Sequence, residues 1–455
     1  MHRSMRILGS FLLFLGGCLL AAGASWAGPV DIHSIGARAT SLGGAYSANA
    51  EGPFAAYYNP AGLTQTESPV TSAGIMVLNP DLEVKNYEVE NSGKADLGPT
   101  DEGDKSDNIY PPHLGFAMPI NSKWSVGVAA YVPFGLHLKW EDNPNKNPMS
   151  YNAYENWYQR EVVTPTVAYK VNDQLSLGLG VSLGRSEAGV YRNVYGLTPY
   201  GMDTAFETEM TDSFNYSANL GLMYKPTQEW SIGLTYRSQA DADFDGELEV
   251  KGDKTSATFP HTIKDEYDVS MDDVDHPDQV QFGARYQPYE TLSLEADVVW
   301  TRWSMVDEQT VEFDDKDDPF IQAAYEDGEE VFERDWDNTW QIRMGTEWRA
   351  TDMITLRGGY FYDPSCVPDD TFDGQWPDTD KQTFSLGAGF DITQNWTVDT
   401  VLQYTLIEER SISGESENLN DSYNYEAGPL SNEGEVSLKA DGEIWGYGLT
   451  VSYTF

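Results

Sequence analysis

The chain has 455 residues and a formal charge of −45, with only 28 Lys and Arg against 73 Asp and Glu. So acidic a chain does not hold nucleic acid by its phosphates. Its two cysteines, Cys18 and Cys366, exclude a small disulfide-stapled scaffold.

Residues 1–27 read as a secretory signal peptide. Arg3 and Arg6 form a positive start, "ILGSFLLFLGGCLLAAGA" an apolar stretch, and Ser25 and Ala27 put small residues at −3 and −1 of a cleavage site. Gly28 is then the mature N-terminus, and loss of the two arginines leaves a mature charge of −47. Leu15, Gly16, Gly17 and Cys18 resemble a lipoprotein box loosely, but the apolar run continues past Cys18. Cleavage leaves Cys366 alone, so no internal disulfide forms. Among exported proteins this suits a large envelope protein of a Gram-negative bacterium.

Residues 28–66 show no strand alternation. They are rich in small residues, yet Phe54, Tyr57, Tyr58 and Leu63 call for burial. Asn59 and Pro60 mark a turn, since proline fixes φ and asparagine bonds its own backbone.

From about residue 69 onward the chain reads as β-strands. No later stretch holds 18 consecutive apolar residues, so no helix spans a bilayer. One pattern recurs: a polar turn, then Trp or a large aliphatic, then Ser or Thr, then an aliphatic. It stands at 121–127, 172–178, 227–233, 289–295, 351–357 and 393–399, and each copy is a tight hairpin. Between the hairpins lie seven long acidic connections, roughly 80–110, 139–155, 191–212, 251–278, 307–336, 364–380 and 409–442. Six short turns and seven long loops join 14 antiparallel strands.

Alternation supports this. Trp340, Ile342, Met344, Thr346 and Trp348 share one face, and Gln341, Arg343, Gly345 and Glu347 the other. Trp230, Ile232, Leu234 and Tyr236 repeat the pattern, as do Trp445, Tyr447, Leu449, Val451, Tyr453 and Phe455. Apolar outside, polar inside, aromatic near strand ends: this is the plan of an all-β transmembrane barrel. A closed barrel satisfies every backbone group in lipid. The 13 Trp, 27 Tyr and 18 Phe suit two interfacial girdles. A 14-strand barrel leaves a lumen that wall side chains do not fill, and residues 28–66 are expected to plug it.

Here the chain resembles a known family. "SLGGAYSANAEGPFAAYYNPAGL" (41–63) is similar to the N-terminal hatch of the FadL/TodX family, outer-membrane transporters of long-chain fatty acids and other hydrophobic compounds. That hatch's Asn-Pro-Ala matches Asn59, Pro60 and Ala61, followed by Gly62. Further likeness runs in order through 111–127, 236–246, 276–286, 298–308, 362–369, 377–381 and 442–455.

The resemblance implies passive uptake. An amphipathic ligand is caught among the outer loops and passes to a pocket in the barrel. A hatch rearrangement then lets it leave sideways, past an inward kink of the third strand into the membrane. In this chain that strand is residues 124–140, and Pro133, Phe134 and Gly135 mark the kink. Pro133 removes a ladder donor, so a break in pairing is expected; the other reading is that the strand ends near Val132. A carboxylate head would seek a cation, and Arg343 or Arg192 could provide it. Each could equally pair with an acid of the lumen, and Arg185, Arg237 and Arg357 are weaker versions of the same idea. The aromatic stretch 151–158 could line the capture groove or an interfacial girdle.

Other chemistry fares poorly. The acidic run 314–319 lacks the Gly and final Glu of a calcium loop. No histidine sits in a ligand spacing; His137 could act as a base, but no nucleophile is marked, so neither metal, cofactor nor enzyme is expected. The partners expected are hydrophobic small molecules, outer-membrane lipid and lipopolysaccharide, and the barrel-assembly machinery through terminal Phe455. A self-closed barrel would stand as a monomer. An aromatic-hydrocarbon channel, an open porin and a surface adhesin are the competing readings.

Overall fold

The computed structural model describes residues 34–91, 97–194, 204–252, 263–272, 274–423, 425–427, 430–432 and 434–455. The signal peptide, Gly28, the first part of the plug segment, His33 and His261 lie outside the described residues.

Nineteen strand segments form one antiparallel sheet, and they compose fourteen wall strands. Ten strands are single pieces. The first six include Val70–Glu90, Pro112–Pro119, Trp124–Lys139, Glu155–Lys170, Leu175–Asn193 and Thr204–Tyr224. Strands seven to ten are each in two pieces: Trp230–Arg237 with Phe244–Gly252, Glu266–Met271 with Gln279–Tyr289, Leu292–Thr301 with Glu308–Phe313, and Glu329–Glu333 with Thr339–Arg349. The last four are Ile354–Asp363, Lys381–Asp391, Trp396–Ser413 and Glu435–Thr454. The nineteenth segment, Leu97–Gly103, pairs with the outer end of the first strand. The sheet closes where the first strand pairs with the last, from Val70 with Thr454 to Glu90 with Glu435.

All six tight turns expected from the sequence join successive strands. At five of them an asparagine or threonine side chain accepts backbone N–H bonds from the second and third residues ahead, as Asn172 does from Gln174 and Leu175. The long connections hold more strand than their sequences suggest. Glu266–Met271, Glu308–Phe313 and Glu329–Glu333 all fall within segments read as loops. Glu266–Met271 and Glu308–Phe313 do alternate, with Tyr267, Val269, Val311 and Phe313 on the buried face, whereas Glu329–Glu333 carries acids on both faces.

The barrel is inside-out. On the fifth strand Leu177, Leu179, Val181 and Leu183 are exposed, while Ser182 is buried. On the tenth, Trp340 and Trp348 are exposed and Thr339, Gln341 and Arg343 are buried. Polar groups turn inward and apolar groups outward, the reverse of a water-soluble sheet.

Candidate functional site

Residues 34–66 pack against the inward face of this wall. A short helix, Ala37–Thr40, ends at Gly43 and Gly44, both with positive φ. A Cβ at Gly43 would lie 2.7 Å from the backbone oxygen of Tyr360. The two ends of the segment are stapled at Tyr58, whose hydroxyl accepts from Ile35 N at 2.7 Å and donates to Ile35 O at 3.1 Å. Burial pushes the Tyr46 and Tyr58 phenols well above their ordinary range, so both stay neutral. Tyr57 meets Tyr131 of the third strand edge-on at 5.3 Å, and Arg237 stacks on its ring at 4.1 Å.

Asn59 is the pivot of the segment. It is fully buried and caps the 3-10 helix Pro60–Gln65, its Oδ1 accepting from Ala61 N at 3.1 Å. Its Nδ2 donates to Ser47 O at 2.8 Å and to wall residue Leu222 O at 3.0 Å. The wall accommodates Asn59, Pro60 and Ala61 by having no side chain opposite them. A Cβ at Gly221 would lie 2.2 Å from Asn59 Oδ1, and one at Gly178 would lie 2.3 Å from Ala61 N. Gly62 packs on the backbone of Ala50 just as closely.

Carboxylates of the ninth strand add to the hold. Asp297 accepts from Ser47 N at 3.0 Å, and Glu295 from Ala48 N at 2.7 Å. Arg38 pairs with Glu51 in the segment and with wall residue Glu347 at 3.1 Å. Arg357 joins Glu347 and Asp399, both at 2.7 Å.

The third strand does not end near Val132. Tyr131 pairs with Val162 and Phe134 with Arg160, so Val132 and Pro133 together oppose Glu161. This is a β-bulge, and its extra residue swaps the faces. Before it Ala129 and Tyr131 point inward; after it Phe134, Leu138 and Trp140 do, while His137 and Lys139 turn out. Pairing with the second strand ends at Ala130. The next backbone bond on that edge is Lys105 N to Lys139 O at 2.7 Å. Between them a cleft of about 560 Å³ opens, lined among others by Tyr110, Pro112, Val132, Gly135 and Trp157.

A second cavity, of about 60 Å³, lies among Met210, Leu248, Met271, Val311, Phe332 and Trp376. Arg192 and Arg334 also line it, each guanidinium over the Phe332 ring, at 5.7 and 5.4 Å. Arg192 is paired with Glu330. Arg334 is buried against Asp373 at 2.5 Å and donates to Gln309 Oε1 at 2.9 Å. Arg343 lies elsewhere, near Gly44, stacked on Phe361 at 4.7 Å and donating to Gln341 at 2.7 Å. The fold thus brings Arg192 together with Arg334, which sequence reasoning missed, and not with Arg343. Nothing around Arg334 in the sequence sets it apart from other loop arginines. Arg237 and Arg357 are engaged with the segment and its ion pairs, and Arg185 with Glu187. The stretch 151–158 splits its roles: Tyr154 and Tyr158 are buried inside, and Trp157 and Tyr158 line cavities. Among the described residues no cluster of His, Cys, Asp and Glu could hold a metal ion.

Residues 18–455 match the family described as "Outer membrane protein transport protein (OMPP1/FadL/TodX)". Outer membrane protein P1 of Haemophilus influenzae is 24% identical over 401 residues, covering 76% of each chain. The long-chain fatty acid transport protein of Escherichia coli K12 is 22% identical over 437 residues, covering 87% of each. Among solved structures, a Pseudomonas aeruginosa FadL homologue superposes with a TM-score of 0.77 at 19% identity, over 95% of this chain and 100% of that one. The Ralstonia pickettii toluene transporter TbuX gives 0.66 at 15%, over 93% and 99%. The match to the family over nearly the whole chain, on a closed barrel of fourteen strands, makes this chain a member of the OMPP1/FadL/TodX family, a transporter of hydrophobic compounds in the Gram-negative outer membrane and not an enzyme.

Proposed function

We propose that the transported compounds are long-chain fatty acids. The observation that carries this is the pairing of Arg192 and Arg334 around Phe332 at the edge of a cavity lined by Met210, Leu248, Met271, Val311 and Trp376 with a few polar groups. An apolar lining takes methylenes at about 0.8 kcal/mol each, and a guanidinium takes the carboxylate. At about 60 Å³ the cavity holds only about two waters' share of liquid volume. A ligand therefore enters by displacing side chains, and Met210 and Met271 are suited to yielding.

On this reading residues 1–27 are a cleaved signal peptide and residues 28–66 a hatch. The ligand is caught among the outer loops, the hatch rearranges, and the ligand leaves through the cleft beside Pro133, Phe134 and Gly135. Closure of the barrel on itself supports a monomer, surrounded by membrane lipid and lipopolysaccharide. Phe455, exposed at the end of the last strand, supports handover by the barrel-assembly machinery.

A second reading, transport of neutral aromatic hydrocarbons, draws on Glu330 and Asp373, which already neutralise the two arginines. Mass spectrometry of molecules extracted from the purified protein decides. Retained fatty acid, lost in Arg192→Ala, supports the first reading. Retained neutral aromatics, indifferent to Arg192→Ala, support the second.

A further inference from the structure

Trp157 and Tyr158 line both the wall cleft and the inner cavity. They are neighbours on the fourth strand, so their side chains take opposite faces. Tyr158 is the buried, inward one. It stands where the two cavities approach each other.

Its hydroxyl lies 2.6 Å from Nε2 of His276. His276 is itself buried, in the break between the two pieces of the eighth strand. Only an isolated bridge holds its backbone: His276 and Ala240 exchange two bonds of 3.0 Å. The imidazole stacks on Phe134, with ring centres 4.5 Å apart and planes at 23°. Phe134 is the first paired residue beyond the bulge. The three side chains therefore run unbroken from the kink to the partition between the cavities.

We propose that Tyr158 is a gate between the inner cavity and the wall cleft, held shut by its hydrogen bond to His276. The proposal rests on lateral exit through the cleft. Phe134 ties the latch to the bulge, so a shift of the kink moves His276 and frees Tyr158. The latch also discriminates. A carboxylate could take the tyrosine's proton-donor bond in place of His276, whereas a hydrocarbon could not. An anionic amphipath compensates for the bond it breaks; a neutral molecule does not.

The test uses the full-length protein in liposomes, each variant checked for the heat-modifiable folded band. The probes are a fluorescent long-chain fatty acid and a fluorescent neutral hydrocarbon. Gly135→Trp fills the cleft and should stop uptake of both; unchanged uptake would overturn lateral exit, and the gate with it. Given that block, Tyr158→Phe keeps the ring and removes the hydroxyl's bond to His276 together with its bond to Ser186. It should speed the neutral probe about fivefold, the factor one net hydrogen bond corresponds to, and the acid less. His276→Phe keeps the stack on Phe134 and should also speed the neutral probe, with the double variant no faster than Tyr158→Phe alone. Rates unchanged in Tyr158→Phe, or effects that multiply in the double variant, would overturn the gate while leaving lateral exit standing. If His276→Phe does not assemble, the two probes with Tyr158→Phe decide alone.

Discussion

Asn59 offers the sharpest test of how the N-terminal segment is held. The side chain makes three hydrogen bonds with no exposure to solvent: to Ser47 O, to Leu222 O and from Ala61 N. Asn59→Ala removes all three bonds at once and leaves their backbone partners unpaired. At about 1 kcal/mol each, the segment should loosen by about 3 kcal/mol, or about a hundredfold in the open population. Asn59→Asp is the more telling change. It retains the acceptor for Ala61 N but sets an oxygen against two carbonyl oxygens 2.8 and 3.0 Å away. Wall residue Gly221 gives no room for retreat on the acceptor side. The aspartate should therefore loosen the segment at least as much as alanine does, despite being nearly the same shape.

Hydrogen exchange of the amides from Ala56 to Thr66 reads this directly, with the amides of the strand Leu175–Asn193 as internal reference. Faster exchange confined to the segment is the expected result. Wild-type exchange in both variants would refute the reasoning, since it would mean that Asn59 does not fasten the segment to the wall.

Three other outcomes follow from the geometry. Deleting Pro133 removes the extra residue of the bulge and leaves Val132 alone opposite Glu161, so Phe134, Leu138 and Trp140 stay on the inner face; the variant should keep the heat-modifiable band on gels while losing the kink. Arg334→Met leaves Asp373 charged, buried and unpaired, a cost of about 3–5 kcal/mol that should expose residues 364–380 to protease, and Arg334→Met with Asp373→Leu should restore most of the resistance. Cys366 lies in that same loop, where burial and then Asp378 push its thiol well above the ordinary range; a maleimide at about pH 8 should leave it unmodified until the protein is unfolded.

The barrel was legible because its constraints are local and repetitive. Each tight turn announces itself in about seven residues, and each membrane-crossing stretch must alternate. The proline of strand three was legible for the same reason: a missing donor is a property of the residue itself. What lay hidden depends on pairing across distance. The bulge's reversal of faces shows only when Tyr131 is matched to Val162 and Phe134 to Arg160. Arg334 gains its place from Asp373 and Gln309, 39 and 25 residues away. His276 meets Tyr158 across 118 residues, and neither carries a local mark that would join them. Arg343 illustrates the converse. Its inward direction follows from alternation, but its height in the lumen, beside Gly44 and below the inner cavity's arginines in no shared lining, does not.

The manner in which the segment 34–66 is attached bears on the proposed hatch movement. Its apolar side chains pack largely on one another, as Tyr46 on Tyr58 and Tyr57 on Tyr58. Its links to the wall are mostly polar: Ser47 to Asp297, Ala48 to Glu295, Asn59 to Leu222, Arg38 to Glu347. Such bonds are worth only about 1–3 kcal/mol net where water can replace them, and a shifted segment keeps its own core. The wall glycines at 178, 221 and 359 let the backbone approach closely while offering no side chain to grip it. Had the same contact been built from leucines, displacement would expose apolar area at about 25 cal/mol per Å² with nothing to offset it. A segment fastened by exchangeable bonds and seated on bare backbone can shift without unfolding, as the proposed hatch movement requires.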